Sequence, residues 1–428
     1  MNSFRRSSAL LMAVPVVLLS ACGDEAGGSA EGGGGSSDPI KIGMVSSLTG
    51  PAAAFGGPMR DAAQAVFDDI NDDGGVLGRD VELVVYDDET DPTKAAQGAT
   101  ELVDEGVVAI IGAVTSSTTL ALAPVAASQE TPVIAIAAAV AVTADDAEGL
   151  DWTWRITNND GETIPSVFDR IVEEGYERIA IFSQDDAYGE YGTRVLTDRA
   201  EDSDVEIVET ASAAIDATDV TPQATRLRDA DPDVIVLQLQ SVGLASSFLR
   251  AASDVGLELP MYGGIGMSQQ ALIDAAGPAA EGLITANVLD PSNLSAGQEE
   301  LYGLVEASGG TPTYGFADLA GGDAAHVLAA AIEQAGEATG PAINAALTDG
   351  IEVDGAALAP YSFSGDDHDG MPMPDALVFT VVQDVAFVAV DRLPPRCAAG
   401  ARAAICRRCA GRTRLRARAG RGLPPRRS

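Results

Sequence analysis

The amino-acid sequence predicts an α/β protein with two doubly wound, Rossmann-like lobes. Its 428 residues are too many for one ordinary hydrophobic core, so two domains are expected. From residue 39 onward, short β-rich runs alternate with helical stretches, and the alternation restarts after a crossing segment at residues 152–156. Residues 107–111 are all apolar, which is typical of a parallel strand that is covered on both faces.

The individual elements follow from the apolar periodicity and from residues that favour helix ends. The predicted strands cover residues 40–45, 81–86, 107–111, 132–136, 178–182, 205–208, 234–237, 260–262, 282–287 and the last strands within 376–390. The predicted helices cover residues 59–70, 94–104, 117–128, 160–174, 189–200, 220–229, 243–255, 295–308 and 316–335. Asp91 and Pro92 precede helix 94–104, and this pair suits an N-cap and a first turn.

The N-terminus has the proportions of a secretory signal. Arg5 and Arg6 precede the apolar residues 9–19, a run that is too short to span a bilayer. Cys22 follows small residues and resembles the lipidated cysteine of a bacterial lipobox, so residues 1–22 are predicted to be a lipoprotein signal peptide. The alternative is a plain signal peptide with an incidental cysteine. Residues 23–38 are rich in Gly and Ser, which predicts a flexible tether.

The C-terminal residues 392–428 differ sharply from the rest of the chain. They hold 12 arginines and no acidic residue, whereas the remainder carries a net charge of −50. We interpret them as a basic low-complexity tail, either disordered or read in a shifted frame from a GC-rich gene; a polybasic membrane-binding arm is the alternative. The acidity of the remaining chain argues against nucleic-acid binding.

Neither catalysis nor metal binding is indicated by the motifs. The sequence has no G-x-S-x-G motif, no Walker loop and only two histidines, so we expect no enzymatic activity and no cofactor. The C-x-x-C pair at residues 406–409 lacks a fourth zinc ligand. Residues 365–370 (GDDHDG) are metal-like in composition but lack the long bidentate Glu spacing of a calcium loop, so an acidic turn is the favoured interpretation.

Three loops are candidates for binding a ligand, because ligands of open α/β sheets lie at the carboxyl ends of strands. They cover residues 46–56, 112–119 and 184–190. Thr115, Ser116 and Ser117 combine hydroxyl groups with a helix start, which suits a carboxylate; simple N-capping by Ser116 or Ser117 is the alternative. Tyr188 precedes a helix and can stack on a ligand or hydrogen-bond to it.

A succession of short motifs resembles the branched-chain amino-acid binding proteins, a family of type I periplasmic binding proteins. In order along the chain, these motifs are SLTGP (47–51), DDIN (68–71), GGVLG (74–78), VVYDD (84–88), DP (91–92), IG (111–112), TSS (115–117), DDAYGEYG (185–192), LRA (249–251) and GL (256–257). The resemblance covers residues 40–390. It implies two lobes that are joined by a three-strand hinge and close on a ligand. Lobe one would hold residues 39–155 plus 288–376, and lobe two would hold residues 156–287 plus 376–391.

The resemblance also implies a set of ligand-binding residues. The hydroxyl loop would hold the ligand's carboxylate, a second loop would contribute backbone groups, and one aromatic side chain would come from each lobe. The residues implied in this way are Phe55, Thr115, Ser116, Ser117, Ala137, Ala139, Asp160, Tyr188, Ser241 and Gly264.

The chain departs from the family pattern at three places that matter for the ligand, one of which is the absence of the aromatic residue expected near Ser241. Residues 135–142 contain only Ala, Ile and Val where a hydroxyl is usual, and the acidic residue expected near Gly263 and Gly264 is absent. A buried ammonium without an acidic partner is energetically costly. An amino acid, an amide, a urea-like molecule or another branched carboxylate therefore stays open as the ligand.

These features together predict a solute-binding lipoprotein of an ABC importer. Its expected partners are the small ligand and the transmembrane subunits of an ABC permease. We expect a monomer that is held at the extracytoplasmic face of the cell membrane by the lipid anchor alone. A sensory protein that reports a small amide or amino acid to a receptor is the alternative.

Overall fold

The computed structural model describes residues 38–353, 358, 360–371 and 377–390. All of these residues belong to one compact unit. Three sequence predictions lie outside the described residues: the signal peptide with Cys22, the tether apart from Asp38, and the basic tail 392–428.

The first lobe is built on a five-stranded parallel sheet. Its strands are β1 (Ile40–Ser46), β2 (Val81–Asp87), β3 (Ile110–Gly112), β4 (Val133–Ala135) and β5 (Thr153–Arg155), in the order β2-β1-β3-β4-β5. The helices between them are α1 (Ala53–Asp72), α2 (Pro92–Asp104) and α3 (Ser116–Ser128). The side chain of Asp91 accepts a hydrogen bond from the N–H of Thr93, which caps α2 as the sequence predicts.

The second lobe is built on a seven-stranded mixed sheet. The helices that follow β5 along the chain are α4 (Asp160–Glu173), α5 (Ala187–Glu201), α6 (Thr221–Asp229), α7 (Val242–Asp254), α8 (Gln270–Ala276), α9 (Ala296–Ala307), α10 (Phe316–Ala335) and α11 (Gly340–Asp349). The remaining strands are β6 (Arg178–Gln184), β7 (Glu206–Ala213), β8 (Val234–Gln238), β9 (Met261–Gly263), β10 (Leu283–Asn287), β11 (Ile351–Val353), β12 (Tyr361–Phe363), β13 (Val378–Gln383) and β14 (Ala386–Ala389). The second sheet has the order β14-β13-β10-β9-β8-β6-β7, in which only β13 and β14 run antiparallel to their neighbours, and β11 pairs with β12 alone. The predicted α/β fold with two doubly wound lobes is confirmed.

Helices from late in the chain complete the core of the first lobe. The residues of α9 and α10 pack against α1, and Phe67 and Leu328 belong to the same buried cluster as Ile42 of β1. Gly321 is required at the crossing of α1 and α10, because a Cβ at this position would lie 2.1 Å from the carbonyl oxygen of Met59. The backbones of the two helices therefore touch directly.

The structure differs from the sequence-based elements in several places. Helix α1 begins at Ala53, six residues before the predicted start, and continues through its sixth residue, Pro58, which has no N–H to donate to the preceding turn. Thr115, rather than Ser116 or Ser117, is the N-cap of α3. The short elements α8, α11, β11 and β12 were not predicted, because three to ten residues carry too little periodicity to be recognised.

The chain passes from the first lobe to the second after β5 and returns after β10; Met371 still belongs to the first lobe's core, whereas β13 belongs to the second sheet. Arg155, the last residue of β5, lies at the first crossing and is fully buried. Its guanidinium forms an ion pair of 2.7 Å with Asp369 and donates hydrogen bonds to the carbonyl oxygens of Ala137, Ala138 and Ala139, at 3.4, 3.2 and 2.8 Å. The boundaries assigned to the two lobes from the sequence stay a prediction.

Asp369 also reaches the second lobe. Its carboxylate accepts hydrogen bonds from the hydroxyl of Thr143 at 2.8 Å and from the side-chain amide of Asn159 at 2.5 Å. Asn159 in turn is the N-cap of α4, because its side-chain oxygen accepts from the N–H of Gly161. One carboxylate therefore joins Arg155 of the first lobe to the start of a helix of the second.

The acidic turn at residues 365–370 packs against this crossing. The ring of His368 stacks on Trp154 with a centroid distance of 3.9 Å, and the indole N–H of Trp154 donates to Asn344 at 2.9 Å. His368 and Asp369 are therefore engaged in packing and in an ion pair. Within the described residues, no three His, Cys, Asp or Glu side chains are placed to hold a metal ion.

We predict that Asp369→Ala lowers the free energy of unfolding by about 3–5 kcal/mol, because the buried guanidinium of Arg155 loses its counter-charge. Urea denaturation measures this loss. The matched control is Glu206→Ala, which removes the partner of Arg178 in a solvent-exposed ion pair and should cost less than about 1 kcal/mol. Equal losses in the two variants would contradict this account of the crossing.

Candidate functional site

A narrow cavity lies between the lobes, at the carboxyl ends of strands from both sheets. The unfilled space between its walls, counted together with the adjoining open solvent, is about 440 Å³. The residues that line it are Ala52, Phe55, Met59, Val114, Thr115, Ile136, Ala138, Thr157, Asn158, Asp160, Tyr188, Gln240, Ile265, Gly266 and Phe316.

The chain segment that follows β4 alternates its side chains between the cavity and the core. Ile136 and Ala138 line the cavity, whereas Ala137 belongs to the buried cluster around β3 and β4. The guanidinium of Arg155 donates hydrogen bonds to the carbonyl oxygens of residues 137–139, and the N–H of Ala139 donates to the hydroxyl oxygen of Ser116 at 3.3 Å. The polar backbone of this segment is therefore largely satisfied within the first lobe.

The hydroxyl groups at the start of α3 are engaged in helix capping. The Oγ1 of Thr115 accepts from the N–H of Thr118 at 3.3 Å and lies 2.9 Å from the Oγ1 of Thr118. Thr118 closes a capping box by accepting from the N–H of Thr115 at 3.2 Å. Thr115 lines the cavity while serving as a structural cap.

Apolar side chains of the first lobe form one wall of the cavity. Phe55 and Met59 come from the first turns of α1, and Phe316 is the first residue of α10. Asp318 positions Phe316, because its carboxylate accepts from the N–H of Thr313 at 3.0 Å and from the N–H of Gly315 at 3.3 Å. These contacts hold the loop before α10 against the cavity.

Asp160, the first residue of α4, is a buried carboxylate in the cavity wall with 2% of its surface exposed. Its N–H donates to the carbonyl oxygen of Ala138 at 2.8 Å, and its Oδ1 accepts from the side-chain amide of Asn158 at 3.2 Å. Its Oδ2 is buried and has no hydrogen-bond partner among the described residues. The charged form of such a group is destabilised unless a ligand supplies a donor.

Burial raises the pKa of Asp160 from 3.8 to about 7, although the nearby guanidinium of Arg155 and the hydrogen bond from Asn158 both act to lower it. Desolvation is the largest of the three effects, because the carboxyl group is almost completely buried. A carboxyl group with a pKa near neutrality in a cavity is a typical feature of a functional site.

The second lobe contributes Tyr188 and Gln240 to the opposite wall. Asp186 caps α5 by accepting from the N–H groups of Tyr188 and Gly189 at 3.1 Å, which places the buried ring of Tyr188 in the first turn. Desolvation, followed by the charges of Asp160 and Asp186, raises the pKa of Tyr188, so the phenol stays neutral. The N–H of Gln240 donates to the side-chain oxygen of Gln184 at 2.8 Å, while its own Oε1 is buried and has no partner among the described residues.

The structure brings four of the ten residues predicted for the site into the cavity wall and places six outside it. Those in the wall are Phe55, Thr115, Asp160 and Tyr188. Those outside it are Ser116, Ser117, Ala137, Ala139, Ser241 and Gly264. Ser241 caps α7 by accepting from the N–H of Leu244, and a Cβ at Gly264 would lie 3.2 Å from the hydroxyl of Tyr188. Their roles in ligand binding stay predictions.

Sequence reasoning missed several residues of the wall, above all Asn158, Gln240 and Phe316. Asn158 lies directly before an N-cap and Phe316 directly after a glycine that starts a helix, so a search for helix starts beyond the three loops would have found both. Gln240 follows β8 by two residues, and its position at a strand's carboxyl end is the signal that was available for it.

In the described part of the chain, every helix falls short of the length or apolar character that a bilayer-crossing segment needs.

Comparison with known proteins finds the same fold. The chain matches the periplasmic binding protein family over residues 39–386. It is 28% identical over 255 residues to a Leu/Ile/Val-binding protein of Citrobacter freundii, covering 59% of this chain and 68% of the relative. Leu/Ile/Val-binding protein homolog 3 of Brucella melitensis is 26% identical over 332 residues, covering 76% of this chain and 88% of the relative. A crystal structure of an extracellular ligand-binding receptor from Rhodopseudomonas palustris matches with a TM-score of 0.74 at 25% identity, covering 83% of this chain and 100% of that one.

We predict that Asp160→Asn stabilises the protein above pH 7 and changes its stability little at pH 4. The folded state holds a proton on Asp160 up to about pH 7, whereas the unfolded state releases it near 3.8. The stability of the unmodified protein therefore falls as the pH rises through this window, by on the order of 4 kcal/mol at most. Asparagine carries no charge and avoids this loss.

Urea denaturation of the protein and its variants at pH 4, 6 and 8 measures the effect. Glu162→Gln removes an exposed carboxylate from the same helical turn and gives the baseline. If the advantage of Asp160→Asn over the unmodified protein does not grow with pH, then Asp160 is not a strained buried carboxyl group.

Proposed function

We propose that this chain, which belongs to the periplasmic binding protein family, is an extracytoplasmic solute-binding lipoprotein of an ABC importer. Its ligand would be an amino acid or a related small carboxylate or amide, captured when the two lobes close. Relatives that are named as Leu/Ile/Val-binding proteins support this proposal. A binding role without catalysis is in keeping with their names.

The observation that carries the proposal is the composition of the cavity wall. Phe55, Thr115 and Phe316 come from the first lobe, while Asp160 and Tyr188 come from elements of the second. A molecule in this space would contact both lobes at once, and so would stabilise the arrangement in which they approach each other. Helices α3 and α5, one from each lobe, contact each other beside the cavity.

The crossing between the lobes supports the same mechanism. Asp160 starts α4 and bonds through its N–H to Ala138, so the ligand would sit directly beside the point where the chain changes lobes. Closure around a fixed point of this kind lets a small ligand control a large displacement at the outer faces of the lobes. An ABC permease would recognise the closed arrangement by those outer faces.

The first test is ligand-dependent stabilisation and closure of the full chain. A panel of amino acids, branched carboxylates, amides and ureas is screened by thermal unfolding, and a ligand at a hundredfold excess over its Kd should stabilise the folded state by about 2.7 kcal/mol. The same ligand should reduce the radius of gyration in small-angle X-ray scattering. Binding with no change in the radius of gyration would contradict the closure mechanism.

A matched pair of variants ties binding to the cavity. Ala138→Leu adds bulk inside the cavity wall and should abolish the ligand-dependent stabilisation. Ala271→Leu makes the same change at an exposed position of α8 and should leave it intact. Full ligand-dependent stabilisation of Ala138→Leu would place the binding site elsewhere.

Cys22 is proposed as the attachment point of a diacylglycerol anchor, since its sequence context resembles a lipobox. We expect Cys22→Ser to shift the protein from the membrane fraction to the soluble extracytoplasmic fraction, because the acyl chains supply the membrane affinity. Cell fractionation and metabolic labelling with a radioactive fatty acid measure the two effects. Ser20→Ala is the control, and incorporation of label into Cys22→Ser would contradict the proposed site.

A further inference from the structure

We propose that the cavity takes a ligand with an apolar body and a nitrogen head group that donates hydrogen bonds, and that this ligand carries no carboxylate. The chemical class is a small branched amine or primary amide. This inference rests on the proposed function, because it narrows the class of solute that the same cavity captures.

The first observation is the surplus of hydrogen-bond acceptors in the cavity wall. The Oδ2 of Asp160 is buried and unpartnered among the described residues, and so is the Oε1 of Gln240 on the opposite wall. Asp160 is 98% buried and its other oxygen is already satisfied by Asn158. Above about pH 7, where Asp160 is ionised, a ligand that donates N–H groups would satisfy these oxygens, whereas an anionic oxygen would leave them unpaired.

The second observation concerns charge. None of the fifteen residues that line the described cavity is a Lys, Arg or His. The nearest guanidinium, that of Arg155, is engaged by Asp369 and by the carbonyl oxygens of residues 137–139. Above about pH 7, a carboxylate in the cavity would therefore face the ionised carboxylate of Asp160 without a cation in the cavity wall to balance either one.

The third observation is that two of the hydroxyl groups expected to hold a carboxylate, those of Thr115 and Ser116, take part in hydrogen bonds within the first lobe. The hydroxyl of Ser116 accepts the N–H of Ala139, and both residues lie outside the cavity wall. The hydroxyl of Thr115 is held in the capping box with Thr118. Ile136 and Ala138, which also line the wall, have side chains that cannot donate hydrogen bonds.

The apolar residues of the wall define the other end of the ligand. Phe55, Met59, Phe316 and Ile265 form the apolar part of the wall, which favours contact with a hydrocarbon body over a polar one. A ligand of this shape would place its head at Asp160 and its body against α1 and the start of α10.

Four molecules of matched shape test the proposal on the full chain by isothermal titration calorimetry at pH 8. They are leucine, 3-methylbutylamine, 4-methylpentanamide and 4-methylpentanoate, which differ in whether they carry an amino, amide or carboxylate group. The amine or the amide should bind at least tenfold more tightly than leucine, and the acid should bind least. The proposal is overturned if leucine or the acid binds as tightly as the better of the two nitrogen ligands, or if neither nitrogen ligand binds.

The pH dependence distinguishes the amine from the amide. The groups that face Asp160 are Arg155, Asn158, Tyr188 and Tyr191, and the pKa values of both tyrosines are raised, so Asp160 alone titrates near neutrality. A cationic amine requires the ionised carboxylate, which is present above a pKa of about 7, so its affinity should rise about tenfold from pH 6 to pH 8. A neutral amide should change less than threefold, and either result supports the proposal. An affinity that falls over this range, as expected for an anionic ligand, overturns it.

Two variants separate the head-group contact from general effects on the fold. Asp160→Asn should weaken binding of the amine by about thirtyfold or more and remove its pH dependence, whereas Glu162→Gln in the same helical turn should change its affinity less than twofold. Undiminished binding of the better nitrogen ligand by Asp160→Asn overturns the proposal. If leucine or the acid binds best and closes the lobes, this inference about the ligand is overturned, but the proposed function as a solute-binding protein stands. If no solute of the wider panel binds, both the inference and the proposed function are overturned.

Discussion

The buried guanidinium of Arg155 is the interaction on which the rest of the site depends. It donates hydrogen bonds to the carbonyl oxygens of residues 137–139 and forms an ion pair with Asp369. Because those carbonyls are drawn toward Arg155, the side chains of Ile136 and Ala138 form the cavity wall. A single cation thus determines both how the segment after β4 folds and how the chain enters the second lobe.

The same constraint explains why Asp160 is electrostatically strained. It lies close enough to Arg155 to feel its charge, yet Asp369 occupies the hydrogen-bonding edge of that guanidinium. Burial then dominates, and the carboxyl group is left with an acceptor that the described protein does not satisfy. Strain of this kind is tolerated where it serves binding, because the ligand relieves it.

The alternation of strands and helices was predictable from the sequence because parallel strands covered on both faces are rich in apolar residues, as residues 110–111 of β3 and 234–237 of β8 are. The loops at the carboxyl ends of strands were also predictable, and they place Thr115 and Tyr188 in the cavity wall. Two other features depend on tertiary contacts between distant segments: Gln240 is held in the cavity wall through Gln184, and the hydroxyl of Ser116 accepts the N–H of Ala139. No local pattern encodes which hydrogen bonds are satisfied within the protein and which are left for a ligand.

The helix contact at Gly321 affects how the ligand cavity can change during evolution. The direct backbone contact of α10 with Met59 anchors the crossing of α1 and α10 without using a large side chain. Phe55 and Phe316 lie at the ends of these helices, beyond the point of contact. Substitution of Phe55 or Phe316 by a larger or smaller residue can change the shape of the cavity while the helix crossing stays the same. The preferred solute can therefore differ among related proteins that share one scaffold.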